Sequence, residues 1–378
     1  VNSGAVLRGG KVELNSTVDH SRIFQYTGDE QNCALNSLAG FIQNLSFMAG
    51  VAYSSVDTLV DIKAGAKIYA DTFKAIASGI GNAQSEPSGL GISIAVAYVK
   101  NRSKVILGGD VTTTGDATIN AGADNTALAI ANTIDLKGGA AAFSVTIVNS
   151  KVDIHITDDA ALKIDGNLTV QANTVNRTYN LARTSADDEG MLGIAGAVGD
   201  ETSVTNAWVD GTVEVGKDLL ITASHVTKQV NRPILVIAKE EGGVNAESGV
   251  SHGAPESKKW LDRVRVGTGA ADGVEWKPSL RGSMNASSSY LANFLQGSAM
   301  LAGKNAMPTT KGTPPFQFSA AVAVANVDID TTARIGDGDA DGDSKSGVVT
   351  ADGVIIVQST IESRPNISSI STVEQDSA

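Results

Sequence analysis

The sequence predicts an all-β fold: a right-handed parallel β-helix (β-solenoid) built of 51-residue repeats, with one mixed insertion containing a short helix. Three observations predict it. The composition combines 40 glycines with only 4% aromatics, a self-similarity recurs every 51 residues, and each copy alternates with period two. Short β-branched strands joined by tight turns call for that composition.

The repeat is carried by two landmarks. Lys67-Ile68-Tyr69-Ala70, Thr118-Ile119-Asn120-Ala121, Thr169-Val170-Gln171-Ala172 and Leu220-Ile221-Thr222-Ala223 end on alanines spaced by 51. Upstream, Ile92-Ser93-Ile94, Phe143-Ser144-Val145 and Ile194-Ala195-Gly196 keep the same step, 29 residues ahead of the terminal alanine. A fixed period of this length marks a stacked repeat architecture. A fourth copy runs from Phe318 to Ser359 with its landmarks 41 apart, twelve residues more, and the excess coincides with an acidic run at 337–347.

Within a copy, Ile92, Ile94 and Val96 alternate with small residues, and Val152, Ile154 and Ile156 alternate with Asp153, His155 and Thr157. Each is a strand with one face inward, which turns His155 outward. Gly108-Gly109-Asp110, Asp165-Gly166-Asn167 and Gly216-Lys217-Asp218 supply turns. Each unit is expected to form about two coils that stack on their neighbours around a continuous apolar column. Separate β-sandwiches fit less well, because 51 residues is short for one and no Pro/Ser linker divides the copies.

The pattern divides the chain into repeats over 1–230, an insertion over 231–313 and a further repeat over 314–378. The insertion holds Trp260, Trp276 and four of the eight prolines, with Pro314 and Pro315 directly after it. Leu291, Phe294, Leu295 and Leu301, with Ser287 as cap and Gly303 after, predict a short amphipathic helix near 287–302. The two tryptophans are either the small core of a side lobe or aromatic platforms that stack on a sugar or receptor.

Asp337, Asp339, Asp341 and Asp343 alternate through the acidic run, with Gly342 at the sixth position of the pattern. This matches the first half of a calcium loop, in which hard oxygen ligands converge and glycine permits the sharp turn. The twelfth position is Val348 where an EF-hand needs a bidentate glutamate, so an EF-hand is disfavoured and Ca²⁺ would need backbone carbonyls to complete its shell.

A net charge of −12 and a pI near 4.8 argue against nucleic acid as a partner. No apolar run reaches the ~18 residues of a membrane-spanning helix, so no membrane insertion is expected. Cys33 stands alone and reads as a small buried hydrophobe. No HExxH or phosphate loop is present, and among the acids Asp210, Asp262 and Glu275 nothing singles one out for catalysis. Asn-x-Ser/Thr triplets begin at Asn15, Asn44, Asn101, Asn167, Asn176, Asn285 and Asn366.

The phrase Phe143-Ser144-Val145-Thr146-Ile147-Val148-Asn149, an Asp/Gly turn, then Gly166-Asn167-Leu168-Thr169-Val170-Gln171-Ala172 resembles the large exoproteins of Gram-negative bacteria, in particular leukotoxin-like filamentous adhesins. The likeness covers roughly 40–230 and 316–370. It implies a segment of a giant secreted or cell-surface β-helix that is structural or adhesive rather than enzymatic. Its partners would be a glycan or protein on a host or neighbouring cell and the flanking repeats of the same longer chain. The alternative is a β-helical module that binds or cleaves polysaccharide. No catalytic residue carries over, and the tryptophan-bearing insertion departs from the family's phrase.

Overall fold

The computed structural model describes residues 1–27, 47–89, 91–134, 140–186, 192–228, 243–252, 318–336, 347–363 and 365–374. The chain opens with β1 (Val6–Thr27), β2 (Phe47–Ile62) and β3 (Lys67–Gly89). Three passes of one plan follow: β4 (Ile92–Leu107), β5 (Asp110–Thr113) and β6 (Ala117–Ile134); β7 (Ala140–Ile156), β8 (Ala161–Ile164) and β9 (Leu168–Ala186); β10 (Leu192–Val209), β11 (Thr212–Val215) and β12 (Leu219–Lys228). After β13 (Gly243–His252), a fourth pass runs through β14 (Phe318–Ile335), β15 (Val348–Ala351) and β16 (Ile355–Glu362), and β17 (Pro365–Glu374) follows.

Every pass gives one strand to a five-stranded sheet, ordered β14-β10-β7-β4-β2, and two to a twelve-stranded sheet whose main path is β15-β11-β8-β5-β3-β6-β9-β12-β16. Neighbours along both paths are parallel. The passes therefore form layers of a shared all-β structure, and separate sandwiches are excluded. Each 51-residue unit makes a single layer, not two, because its two main strands run to 16–19 residues, well beyond the mean strand length of about 5–6.

The downstream landmark holds through most of the chain: Ala121 pairs with Ala172, Ala172 with Ala223, and Ala223 with Ser359. Ala70 does not belong to this row. It pairs with Thr113, and Ala77 takes the place beside Ala121, because β3 runs straight on where later layers turn at 114–116.

The upstream landmark is offset by two residues. Ile92 pairs with Ala141 and Ala141 with Ile194, so Phe143 lies beside Ile94 and Gly196, and the register steps by 49 and then by 53. The reason is the corner after β7, where Thr157 to Ala160 separate two strands that are joined by two residues in the layers on either side. Likewise, Ile335 pairs with Val209 and Val348 with Thr212, so the acidic turn carries ten additional residues rather than twelve.

Of the 231–313 segment the described part is β13, which runs antiparallel beside β9 and β17. The helix near 287–302, Cys33, Trp260 and Trp276 lie outside the described residues.

The two sheets enclose three zones. One end is aliphatic, with Ile62, Ile68, Leu107, Ile119, Ile154, Leu168 and Ile221 buried around Phe73. The other end is lined by alanines, among them Ala83, Ala97, Ala129, Ala142 and Ala195. Burying each large aliphatic contributes about 1.5–3 kcal/mol, which explains how so few aromatics suffice. Between these zones the apolar column predicted from the sequence is interrupted by a band of polar side chains, and Gly79 makes room for it: a Cβ there would lie 2.4 Å from Asn101 Oδ1.

Candidate functional site

Among the described residues two places concentrate polar chemistry, one facing outward and one sealed. The outward one forms because alternation on three neighbouring strands presents His155, Trp208 and Arg334 side by side, while Ile154, Ala207 and Ala333 pack inward. His155 Nε2 lies 2.7 Å from Asp210 Oδ2. Asp210 follows β10 at the corner, where its backbone N–H donates to the Ile156 carbonyl at 2.8 Å.

The Trp208 ring stands edge-on to His155 at 5.8 Å and 82°, and the Arg334 guanidinium lies 4.4 Å from the Trp208 ring centre. Such a cation–π contact contributes about 0.5–1 kcal/mol at an exposed site. Beside this row, Asn206 donates to Asp153 at 2.9 Å and Lys151 pairs with the same carboxylate at 3.3 Å.

Asp210 is buried while the His155 side chain is 34% exposed. The contact fixes the orientation of the imidazole at this corner. The arrangement is thus an oriented imidazole next to an aromatic ring and a guanidinium.

The sealed site is a ladder of amides crossing three layers. Asn101 donates through Nδ2 to the Gly79 carbonyl and to Asn125 Oδ1, both at 2.8 Å. Asn125 donates to Asn176 Oδ1 at 2.8 Å, and Asn176 donates to Glu201 Oε1 at 2.7 Å. His225 Nε2 lies 3.1 Å from that same Oε1. Every amide points the same way, so their dipoles add and present N–H groups to the carboxylate.

This ladder reassigns two of the Asn-x-Ser/Thr triplets. Asn101 and Asn176 are fully buried, so in the folded chain they are interior hydrogen-bonding groups and no enzyme reaches them for glycosylation.

Of the residues expected to bind, Trp260, Trp276, Asp337, Asp339, Asp341 and Asp343 lie outside the described residues, as do Asp262 and Glu275. The two ends of the acidic loop are described. Gly336, at φ +83°, donates from its N–H to the Val209 carbonyl, and Gly347 abuts Val209 and Asp210. Asp210, undistinguished in the sequence, is brought against His155.

Trp208 and Arg334 gave no sequence signal, because the partner of His155 lies 53 residues on and escapes a search at 51. The chain matches no protein-family model, no curated protein and no solved structure.

Proposed function

We propose that the chain is a stretch of a right-handed β-solenoid that serves as a structural, adhesive segment of a giant secreted or cell-surface protein of the bacterial exterior. It is not an enzyme in this reading. The observation that carries the proposal is where large apolar side chains meet solvent: among the described residues they fall at Val6–Ile80 and Val322–Ile361, and none lies in the layers between. Inward-facing Ile355, Val357 and Ile361 are 44%, 41% and 51% exposed, whereas their partners Leu219 and Ile221 are sealed. Further layers of the same kind, from flanking repeats of the same longer chain, would cover these rows.

Adhesion itself is assigned to the insertion, with Trp260 and Trp276 contacting a glycan or protein on a host or neighbouring cell. Ca²⁺ is assigned to Asp337, Asp339, Asp341 and Asp343. The pinning of both loop ends against Val209 and Asp210 supports that assignment, since a fixed span lowers the entropy lost when ligands converge.

A second reading, a module that binds or cleaves polysaccharide, is favoured by one observation, the oriented His155–Asp210 pair beside Trp208. A glycan array run with a lyase and hydrolase screen separates the two. Binding without turnover, lost on Trp260→Ala or Trp276→Ala, supports adhesion; turnover abolished by His155→Ala replaces it with the second reading. Calorimetric titration with CaCl₂ tests the acidic loop, and absence of heat at millimolar calcium removes the metal.

A further inference from the structure

Lys100, Arg102 and Lys104 take alternate positions of β4, so all three project from the outward face of the five-stranded sheet while Asn101, Ser103 and Val105 are sealed inside. Arg102 and Lys104 are exposed and Lys100 is half-buried. Successive cations along the strand stand about 6.6–6.8 Å apart. Among the described residues none of the three side chains forms an ion pair or a hydrogen bond. The geometry points to a binding row for an acidic polysaccharide, in which these cations meet carboxylate or sulfate groups carried on neighbouring sugars.

The layered fold does not call for cations at these positions. Beside Lys100 stand Ser55 and Asn149, beside Arg102 stand Asp57 and Lys151, and beside Lys104 stand Leu59 and Asp153; β10 and β14 carry no cation in these rows. Lys151 is engaged by Asp153 at 3.3 Å, and the same carboxylate accepts from Asn206 at 2.9 Å. Asp57 is in register with Arg102 and is not paired with it. Over β2, β4 and β7 these rows thus hold four cations against the two carboxylates Asp57 and Asp153, in a chain whose net charge is −12. Unpaired like charges in line repel one another, and a bound anion relieves that repulsion.

The surroundings favour a glycan over other anionic partners. Ser55 and Asn149 flank Lys100 with a hydroxyl and an amide, which exchange hydrogen bonds with sugar hydroxyls. His155 lies on the adjacent strand two residues past the partner of Lys104, so the row leads to the corner where half-buried Trp208 offers an apolar flank to a sugar ring. The row is only about 13–14 Å long, and beyond it the acidic remainder of the chain repels a densely charged duplex. A membrane surface calls for apolar side chains among the cations, and at these positions β4 and β7 have none.

β4 and β7 lie inside the stack, with β2 on one side and β10 on the other, so layers added at either end leave this face open. The row adds a contact surface to the adhesive reading, and it rests neither on the tryptophans of the insertion nor on turnover at His155.

Interferometry of the whole chain on immobilised polygalacturonate, dextran sulfate and neutral dextran, at low and high salt, tests this. At least one acidic polymer should bind, more weakly in high salt, and neutral dextran should not; the two acidic probes tell carboxylate from sulfate. Lys100→Gln with Arg102→Gln and Lys104→Gln should weaken binding by on the order of tenfold or more. Lys163→Gln with Lys217→Gln and Lys228→Gln, an equal change in net charge elsewhere on the surface, should leave it within about twofold. The urea midpoint of the first triple variant should stay level or rise, because repulsion is removed; a lower midpoint would mark the three as structural and overturn the inference. Equal loss in both triple variants, no binding to either acidic polymer, or preference for duplex DNA or phosphatidylserine vesicles overturns it as well. A loss that follows Trp260→Ala or Trp276→Ala and not the β4 cations overturns this row while leaving adhesion by the insertion standing.

Discussion

Asn125 hands a hydrogen bond from its Nδ2 to Oδ1 of Asn176, 51 residues further along the chain and one layer away, at 2.8 Å. The same Nδ2 also donates to Ser150 at 3.1 Å, so one side chain ties two sheets and two layers together. Asn125→Ala leaves Asn176 Oδ1 and Ser150 without this donor, while Asn101 keeps the Gly79 carbonyl. The expected loss is about 1–3 kcal/mol, read as a lower urea midpoint at unchanged slope. A variant as stable as the wild type would show that the ladder adds nothing.

Gly79 is required by the ladder. Besides Asn101, a Cβ there would meet Val56 Cγ1 at 2.6 Å, so Gly79→Ala should cost about 1–3 kcal/mol through overpacking. Asn101→Ser shortens the side chain it strikes. In a double-mutant cycle the two changes together should cost less than their sum, and strict additivity would count against the clash.

The aliphatic zone offers a paired comparison along one row. Ile221 is sealed and its partner Val357 is 41% exposed. Ile221→Ala should destabilise by about 2–5 kcal/mol, because a cavity remains. Val357→Ala should cost under about 1 kcal/mol by the same denaturation measurement, since little apolar surface returns to water.

Tyr98 gives a prediction in alkali. Burial, then stacked Tyr53, push its hydroxyl above the ordinary value of about 10; Arg102 opposes this and Asp200 adds to it. The folded chain therefore holds this proton more tightly than the unfolded chain, so stability is unaffected well below about pH 10 and falls as pH rises past it. An ultraviolet absorbance titration should resolve one late tyrosine that vanishes in Tyr98→Phe and titrates earlier in Tyr53→Phe.

The sequence made the parallel layering legible wherever spacing stayed constant, as in the row Ala121, Ala172, Ala223. It also placed His155 outward, by alternation with Ile154 and Ile156. The polar band escaped notice because asparagine in a turn-rich chain is first taken for a loop residue. Yet Asn125 and Asn176 stand 51 apart at inward positions of their strands, a coincidence that would have revealed them. The His155, Trp208 and Arg334 row was invisible for another reason: its members are related by register across a corner of unequal length, which a linear period does not encode.

That unequal corner has an evolutionary consequence. The five-stranded sheet advances by 49 and then 53 residues while the twelve-stranded sheet keeps 51, and these values differ by two. A change of one residue would turn every side chain of the affected strand inside out; a change of two preserves which side chains face the interior. The corner after β7 should therefore accept insertions and deletions in pairs, and kinship among such proteins is better traced in the five-stranded sheet by odd and even positions than by a constant interval.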